Sequence, residues 1–177
     1  TGVLVHGMCN LGKSSLAARV ANRMPSHQAV VIFGDYDPVS VFERLVAAVP
    51  PADRDNWRGQ WGEAIAAKGA ALADALEAML TGPFGGSPIL LIVDDLEKIL
   101  EEPAPGTDAP KPVALTCGDT SEWRETLTAI LQAFKTQGGA SRLLLTSRYR
   151  FTLPDGPNDD LADTLLDVPL RPMGDTE

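Results

Sequence analysis

The chain has 177 residues, of which 44% are hydrophobic and 22% charged, the size and make-up of one globular domain with a single core. Fifteen Lys and Arg against 24 Asp and Glu leave a net charge of -9, which argues against the broad cationic face that neutralises a nucleic-acid backbone. No apolar stretch approaches the ~20 residues that cross a bilayer, and no basic start leads into an apolar signal core, so a soluble, cytoplasmic domain is expected.

The two cysteines, Cys9 and Cys117, lie far apart and have neither CxxC nor CxxH spacing, so they are expected to be reduced thiols without a zinc or disulfide framework. The chain starts inside an apolar run, Thr1-Gly2-Val3-Leu4-Val5-His6, without a polar lead-in. That start suggests a fragment of a longer protein, with the domain over 1–173 and a truncated helical subdomain beginning at 174–177.

Taken in chain order, runs rich in Val, Ile and Leu at Val3–His6, Ala29–Phe33, Ile89–Val93, Arg142–Thr146 and, more weakly, Thr164–Leu170 alternate with helical patterns. This is βαβ alternation, and such continuous apolar runs suit parallel strands buried on both faces. The first helix, Lys13–Met24, places Leu16, Val20 and Met24 on one stripe beside Ala17 and Ala21. Asp37-Pro38 reads as an N-cap with proline at the first helical position, leading into Phe42, Leu45, Val46 and Val49 until Pro50-Pro51 stops the helix. Glu63–Leu80 reads as one alanine-rich helix ended by Gly82-Pro83. Glu101–Gly118 holds four prolines and no apolar period, which predicts a flexible surface insertion. Asp119-Thr120-Ser121-Glu122 has the form of a capping box before a stripe of Trp123, Leu127, Ile130, Leu131 and Phe134, and Gly138-Gly139 closes that helix.

Between the first strand and first helix, Gly7-Met8-Cys9-Asn10-Leu11-Gly12-Lys13-Ser14 fits G-x-x-x-x-G-K-[ST] without a gap. The glycines allow backbone conformations in which successive N–H groups turn inward around phosphate oxygens. Lys13 supplies a point charge for the β- and γ-phosphates, Ser14 offers a hydroxyl to Mg²⁺, and the helix aims its positive dipole end at the same place. Ser15 either contacts the α-phosphate or only occupies the first helical turn. Cys9 reads as a small loop residue whose N–H is the useful atom.

Ile89-Leu90-Leu91-Ile92-Val93-Asp94-Asp95 is an apolar strand ending in two acids, the Walker B pattern. Asp94 would hold Mg²⁺ at the C-terminal edge of the sheet. Asp95 would orient the attacking water, cap the short helix Leu96–Leu100, or do both, while Glu97 is expected to face solvent. Arg142-Leu143-Leu144-Leu145-Thr146-Ser147-Arg148 delivers Thr146, Ser147 and Arg148 to the same edge, where Arg148, with Arg150 as runner-up, could read a γ-phosphate bidentately. His6, Trp57 and Trp61 read as structural, His27 as a turn residue, and Asp37 as a cap.

In this order, Val-His-Gly-Met-Cys-Asn-Leu-Gly-Lys-Ser-Ser-Leu-Ala, Ile-Val-Asp-Asp and Leu-Leu-Leu-Thr-Ser-Arg resemble the STAND class of P-loop NTPases, AAA+-related signal-transduction ATPases that include the NB-ARC proteins. The tail Leu166-Asp167-Val168-Pro169-Leu170-Arg171-Pro172-Met173 is similar to the strand and turn that lead into the family's next subdomain. Cys9 and Asn10 depart from the glycines usual there. The resemblance implies a three-layer α/β core with a five-stranded parallel sheet in order 5-1-4-3-2, covered by helices on both faces. It implies ATP/ADP bound by Gly7, Met8, Cys9, Asn10, Leu11, Gly12, Lys13, Ser14 and Ser15, with Mg²⁺ on Ser14 and Asp94. Asp95 would direct the water and Arg148 would sense the γ-phosphate.

The function so implied is a slowly hydrolysing ATP switch that controls oligomerisation or activation of attached domains. The alternative is a turnover enzyme, an AAA+-like motor or a kinase. A kinase would need a basic lid segment and a nucleic-acid motor basic and aromatic grooves, neither of which is evident; a GTPase would need N-K-x-D, which the sequence lacks. A degenerate scaffold without nucleotide is opposed by the intact Gly7, Gly12, Lys13, Ser14, Asp94 and Asp95.

Overall fold

The computed structural model describes residues 2–69, 71–100, 113–114, 121–157 and 159–171. The five apolar runs form strands β1 (Gly2–His6), β2 (Gln28–Phe33), β3 (Ile89–Asp94), β5 (Arg142–Ser147) and β7 (Leu165–Pro169). Two short strands, β4 (Val113–Ala114) and β6 (Phe151–Thr152), pair with each other outside the main sheet. The main sheet is ordered β2-β3-β5-β1-β7, and every pairing in it is parallel. With β4 and β6 set aside, the five strands renumbered along the chain read 5-1-4-3-2 from the β7 edge, the expected order of an α/β P-loop-like core.

Register decides where chemistry can gather. His6 lies opposite Ser147 on one side and Pro169 on the other, while Phe33 lies opposite Asp94. Val93 lies opposite Leu145, so one further step sets Asp94 beside Thr146. The C-terminal ends of all five strands are therefore level to within a residue, and the loops that leave them share one edge.

The two faces of the sheet are covered unequally. Helices α2 (Pro38–Ala48), α3 (Arg54–Ala67), α4 (Ala71–Thr81) and α6 (Ser121–Gln137) belong to the larger core, in which Ile32, Leu45, Leu72, Leu76, Met79 and Leu91 are fully buried. The other face carries α1 (Lys13–Arg23), whose Ala17 joins Val5, Leu90, Ile92 and Leu144, with Leu16, Val20, Ala21 and Met24 packed beside them as the stripe predicts.

This asymmetry corrects one expectation. The run Ala29–Phe33 was expected to be buried on both sides, yet Val31 and Phe33 are 45% and 52% exposed. β2 is an edge strand, and α1 packs over β3 and β5 instead.

The helix starts and stops have local causes. Asp37 caps α2 by accepting from Ser40 N at 2.9 Å, with Pro38 at the first helical position. The helix expected over Glu63–Leu80 is instead two: α3 begins as early as Arg54, taking in Trp57 and Trp61, and ends at Ala67. Gly69 explains the break, since a Cβ there would lie 2.8 Å from Pro38 Cγ and 2.9 Å from Glu125 Oε2. The chain passes between α2 and α6 where a side chain would not fit, and glycine is itself a weak helix former. After Gly82, a single turn, α5 (Pro83–Gly86), leads into β3. Gly139, in the left-handed region at φ 52°, follows the end of α6. The insertion expected over Glu101–Gly118, apart from Val113–Ala114, lies outside the described residues. So do the Asp119-Thr120 half of the capping box, Cys117 and the segment 174–177.

Candidate functional site

Three neighbouring strand ends build the site. From β1 the chain enters the Gly7–Ser14 loop. Gly7, at φ 151°, is held by its N–H donating to Ser147 O at 3.2 Å, and a Cβ there would meet Leu170 O at 2.6 Å. The loop is thus threaded between β5 and the chain leaving β7, and only glycine passes. Asn10 (φ 63°) and Gly12 (φ 79°) both take left-handed conformations. Asparagine tolerates that region, which accounts for Asn10 standing where the resembled family prefers glycine. Gly12 then opens α1, its carbonyl accepting from Leu16 N at 2.8 Å.

Lys13, at the first position of α1, is buried, and its Nζ donates to the Gly7 and Met8 carbonyls at 2.9 and 3.1 Å. The loop therefore wraps its own ammonium group. A cleft of about 340 Å³ opens beside it, lined by Cys9, Asn10, Gly12, Lys13, Ser14, Ser15, Asp95, Glu97, Thr146 and Arg148. That volume lies at the lower end of ordinary small-molecule sites. Gly7, Met8 and Leu11 shape the loop without lining the cleft, Met8 being 72% exposed.

At the end of β3, Asp94 and Asp95 are locked to β5 by one hydroxyl. Thr146 Oγ1 donates to Asp94 Oδ1 and accepts from Asp95 N at 3.0 Å. A second clamp comes from Tyr36, whose hydroxyl donates to the Asp94 carbonyl at 2.6 Å and lies 3.1 Å from that of Asp95. Burial, reinforced by the nearby Asp95, Asp94 and Glu97 charges, pushes the Tyr36 hydroxyl up to about 12 despite a hydrogen bond from Gly34. It is therefore a neutral donor at any ordinary pH.

Asp95 itself is left-handed, at φ 69°. It makes no side-chain cap of the 3₁₀ turn Leu96–Ile99, and this overturns the capping role. Its Oδ2 pairs with Lys98 at 3.0 Å. Burial acts to raise the Asp95 carboxyl, but hydrogen bonding with Lys98 and Glu97 and the Lys98 and Arg148 charges outweigh it, so the group is held below its usual range.

Glu97 also departs from expectation. Its side chain is only 12% exposed, and it binds Arg148 twice, through Nε at 3.0 Å and through the backbone N at 3.2 Å. Burial, then the adjoining Asp95, hold its carboxyl above the ordinary value, although its own N–H and Lys13 act the other way. Arg148 remains 43% exposed at the cleft mouth. The runner-up Arg150 is elsewhere: its Nε lies 2.8 Å from Asp167 Oδ2, in a second cavity with Leu4, Phe151 and Asp163. His6 points to that same Asp167 at 3.2 Å, and His27 sits at a bend with Nε2 3.0 Å from Ala140 O.

Among the described residues no cluster of three or more His, Cys, Asp or Glu could by itself hold a metal ion. A cation shared between phosphate oxygens and one or two protein oxygens fits this donor set, which is the manner in which Mg²⁺ is usually bound. Ser14 lines the cleft; Asp94 does not, but it adjoins Asp95 and is bonded to Thr146, which both do, and Ser14 and Asp94 would supply the protein oxygens. Among the described residues, no helix is long and apolar enough to cross a membrane.

Thr146, Tyr36, Glu97 and Lys98 are parts of the site that sequence reasoning named without a role, misplaced or passed over. Thr146 had a readable signal, a hydroxyl near the end of an otherwise apolar strand. Tyr36 had none, since its partners lie 58 and 59 residues away.

No family model matches the chain, and no curated protein matches it. Among solved structures it is similar to a Signal Transduction ATPase with Numerous Domains (STAND) protein with a tetratricopeptide repeat sensor from Pyrococcus horikoshii, at 15% identity and a TM-score of 0.40. That match covers 96% of this chain, which spans 20% of the length of the matched structure.

Proposed function

We propose that the chain is the nucleotide-binding domain of an ATP-dependent molecular switch. One observation carries the reading: a glycine-hinged loop with a buried lysine, an acidic strand end and an arginine from three adjacent parallel strands all border one cleft. Each supplies a different requirement of triphosphate recognition. The loop and the N-terminus of α1 would offer backbone N–H groups to phosphate oxygens. Lys13 is already desolvated and needs only to exchange two carbonyl acceptors for phosphate. Ser14 and Asp94 would hold Mg²⁺, which would neutralise charge on the phosphates. Asp95, kept ionised, is suited to orient a water, and Arg148 stands at the cleft mouth to sense the terminal phosphate.

The loop residues Gly7 to Ser15 are accordingly assigned to nucleotide binding, Asp95 and Arg148 to hydrolysis, and Ser14 and Asp94 to the metal. Slow hydrolysis resets the switch, whose output is self-association or activation of attached domains. The test is titration calorimetry of the protein with Mg²⁺ and ATP. Wild type should bind and Lys13→Ala should not; equal affinities in the two proteins would refute the assignment.

A further inference from the structure

The cleft contains an acid that a phosphate site would be better without. Glu97 is largely buried, faces the same space as Lys13 and Arg148, and would repel an incoming polyphosphate. Each of its carboxylate oxygens accepts from Arg148, one from the side chain and one from the backbone N–H, and the carboxyl also adjoins that of Asp95. The three acids at the strand end are all engaged, Asp94 by Thr146, Asp95 by Lys98 and Glu97 by Arg148. The arginine best placed to sense a terminal phosphate is thus already bound to a resident anion.

We propose that Glu97 is a specificity-determining residue that sets the discrimination between ATP and ADP by competing with the terminal phosphate for Arg148. The inference rests on the nucleotide reading above and deepens it. A diphosphate is held by the loop and Lys13 and leaves the Glu97–Arg148 pair intact. In this proposal a triphosphate draws the Arg148 guanidinium away from Glu97, so part of its extra binding energy goes into breaking the pair. The pair is then the two-state element by which one phosphate more or less becomes a change in the protein. Because Glu97 also holds the backbone N–H of Arg148, its release frees the start of the segment that leads to β6.

Glu97→Gln keeps an oxygen that can accept from Arg148 Nε but removes the competing charge. ATP affinity relative to ADP should rise by about fivefold, the lower end of ordinary coupling between sites. The experiment measures ATP and ADP dissociation constants, with Mg²⁺, for wild type, Glu97→Gln, Arg148→Gln and the double variant. The proposal requires that Arg148→Gln lower the ATP preference and that adding Glu97→Gln to it bring no further gain.

A gain that persists without Arg148 would show plain charge repulsion and overturn the proposal, as would an equal change for both nucleotides. A wild type that binds neither nucleotide, or a Lys13→Ala protein that binds both as tightly as wild type, would overturn the nucleotide reading and this inference with it. Lys13-dependent binding with an unmoved ATP to ADP ratio would overturn the inference alone.

Discussion

Thr146→Val replaces a hydroxyl by a methyl of nearly the same shape on a strand that favours β-branched residues, so it probes one interaction with little change in packing or propensity. Thr146 is 1% exposed, and its hydroxyl serves both Asp94 and the Asp95 amide. Leaving a buried N–H unpaired costs about 1–3 kcal/mol, and a hydrogen bond to a charged group contributes about 1.5–3 kcal/mol. Asp94 and Asp95 are only partly buried, so water recovers a share; a net loss of about 2 kcal/mol is expected. With a urea slope of about 2 kcal/mol per molar for a domain of this size, the midpoint should fall by about 1 M. The same bond supports Asp95 in its left-handed conformation, which costs a non-glycine residue about 1–2 kcal/mol. Hydrogen exchange should therefore show the Asp95 amide losing protection in Thr146→Val and keeping it in Thr146→Ser. A Thr146→Val protein within about 0.5 kcal/mol of wild type, with the Asp95 amide equally protected, would refute the hydroxyl bridge.

Two further outcomes follow from the same geometry. Asp37→Ala removes the cap on α2 and should cost about 1 kcal/mol by urea denaturation at pH 7. Burial acts to raise the Asp37 carboxyl, but its interaction with the Asp35 carboxyl and hydrogen bonds from Ser40 and Val39 outweigh it and hold it below its ordinary 3.8. Its contribution is therefore complete above that value and fades as pH falls through the lowered native one, so the two proteins should converge in stability in strong acid. For hydrolysis, Asp95→Asn should slow single turnover about 10²-fold while leaving ATP affinity within about twofold, since a positioned base contributes about 10²–10⁴. An unchanged single-turnover rate would remove Asp95 from the chemistry.

Much of the architecture was legible because it rests on local causes. Continuous apolar runs marked the five main strands, and Asp37-Pro38 and Gly138-Gly139 marked helix ends whose geometry is set within a few residues. The loop was legible because its glycines are required by backbone conformation at Gly12 and by a close approach to Leu170 at Gly7. What was not legible depended on partners distant in sequence. The interruption at Gly69 is set by Pro38 and Glu125, and the exposure of Val31 and Phe33 by where α1 comes to rest. Glu97 shows the same limit within the site. A glutamate two residues after Asp95 reads as solvent-facing on helical spacing, but the left-handed Asp95 redirects the chain so that Glu97 turns in and meets Arg148, 51 residues away.

The central claim is that phosphate is bound by the loop between β1 and α1, and amide chemical-shift mapping tests it most directly. On titration with Mg²⁺ and ATP, the largest changes should fall on Gly7 to Ser15, with smaller ones at Asp95, Thr146 and Arg148. Saturable changes centred on the cavity of Leu4, Arg150, Asp163 and Asp167, or no changes at millimolar nucleotide, would contradict it.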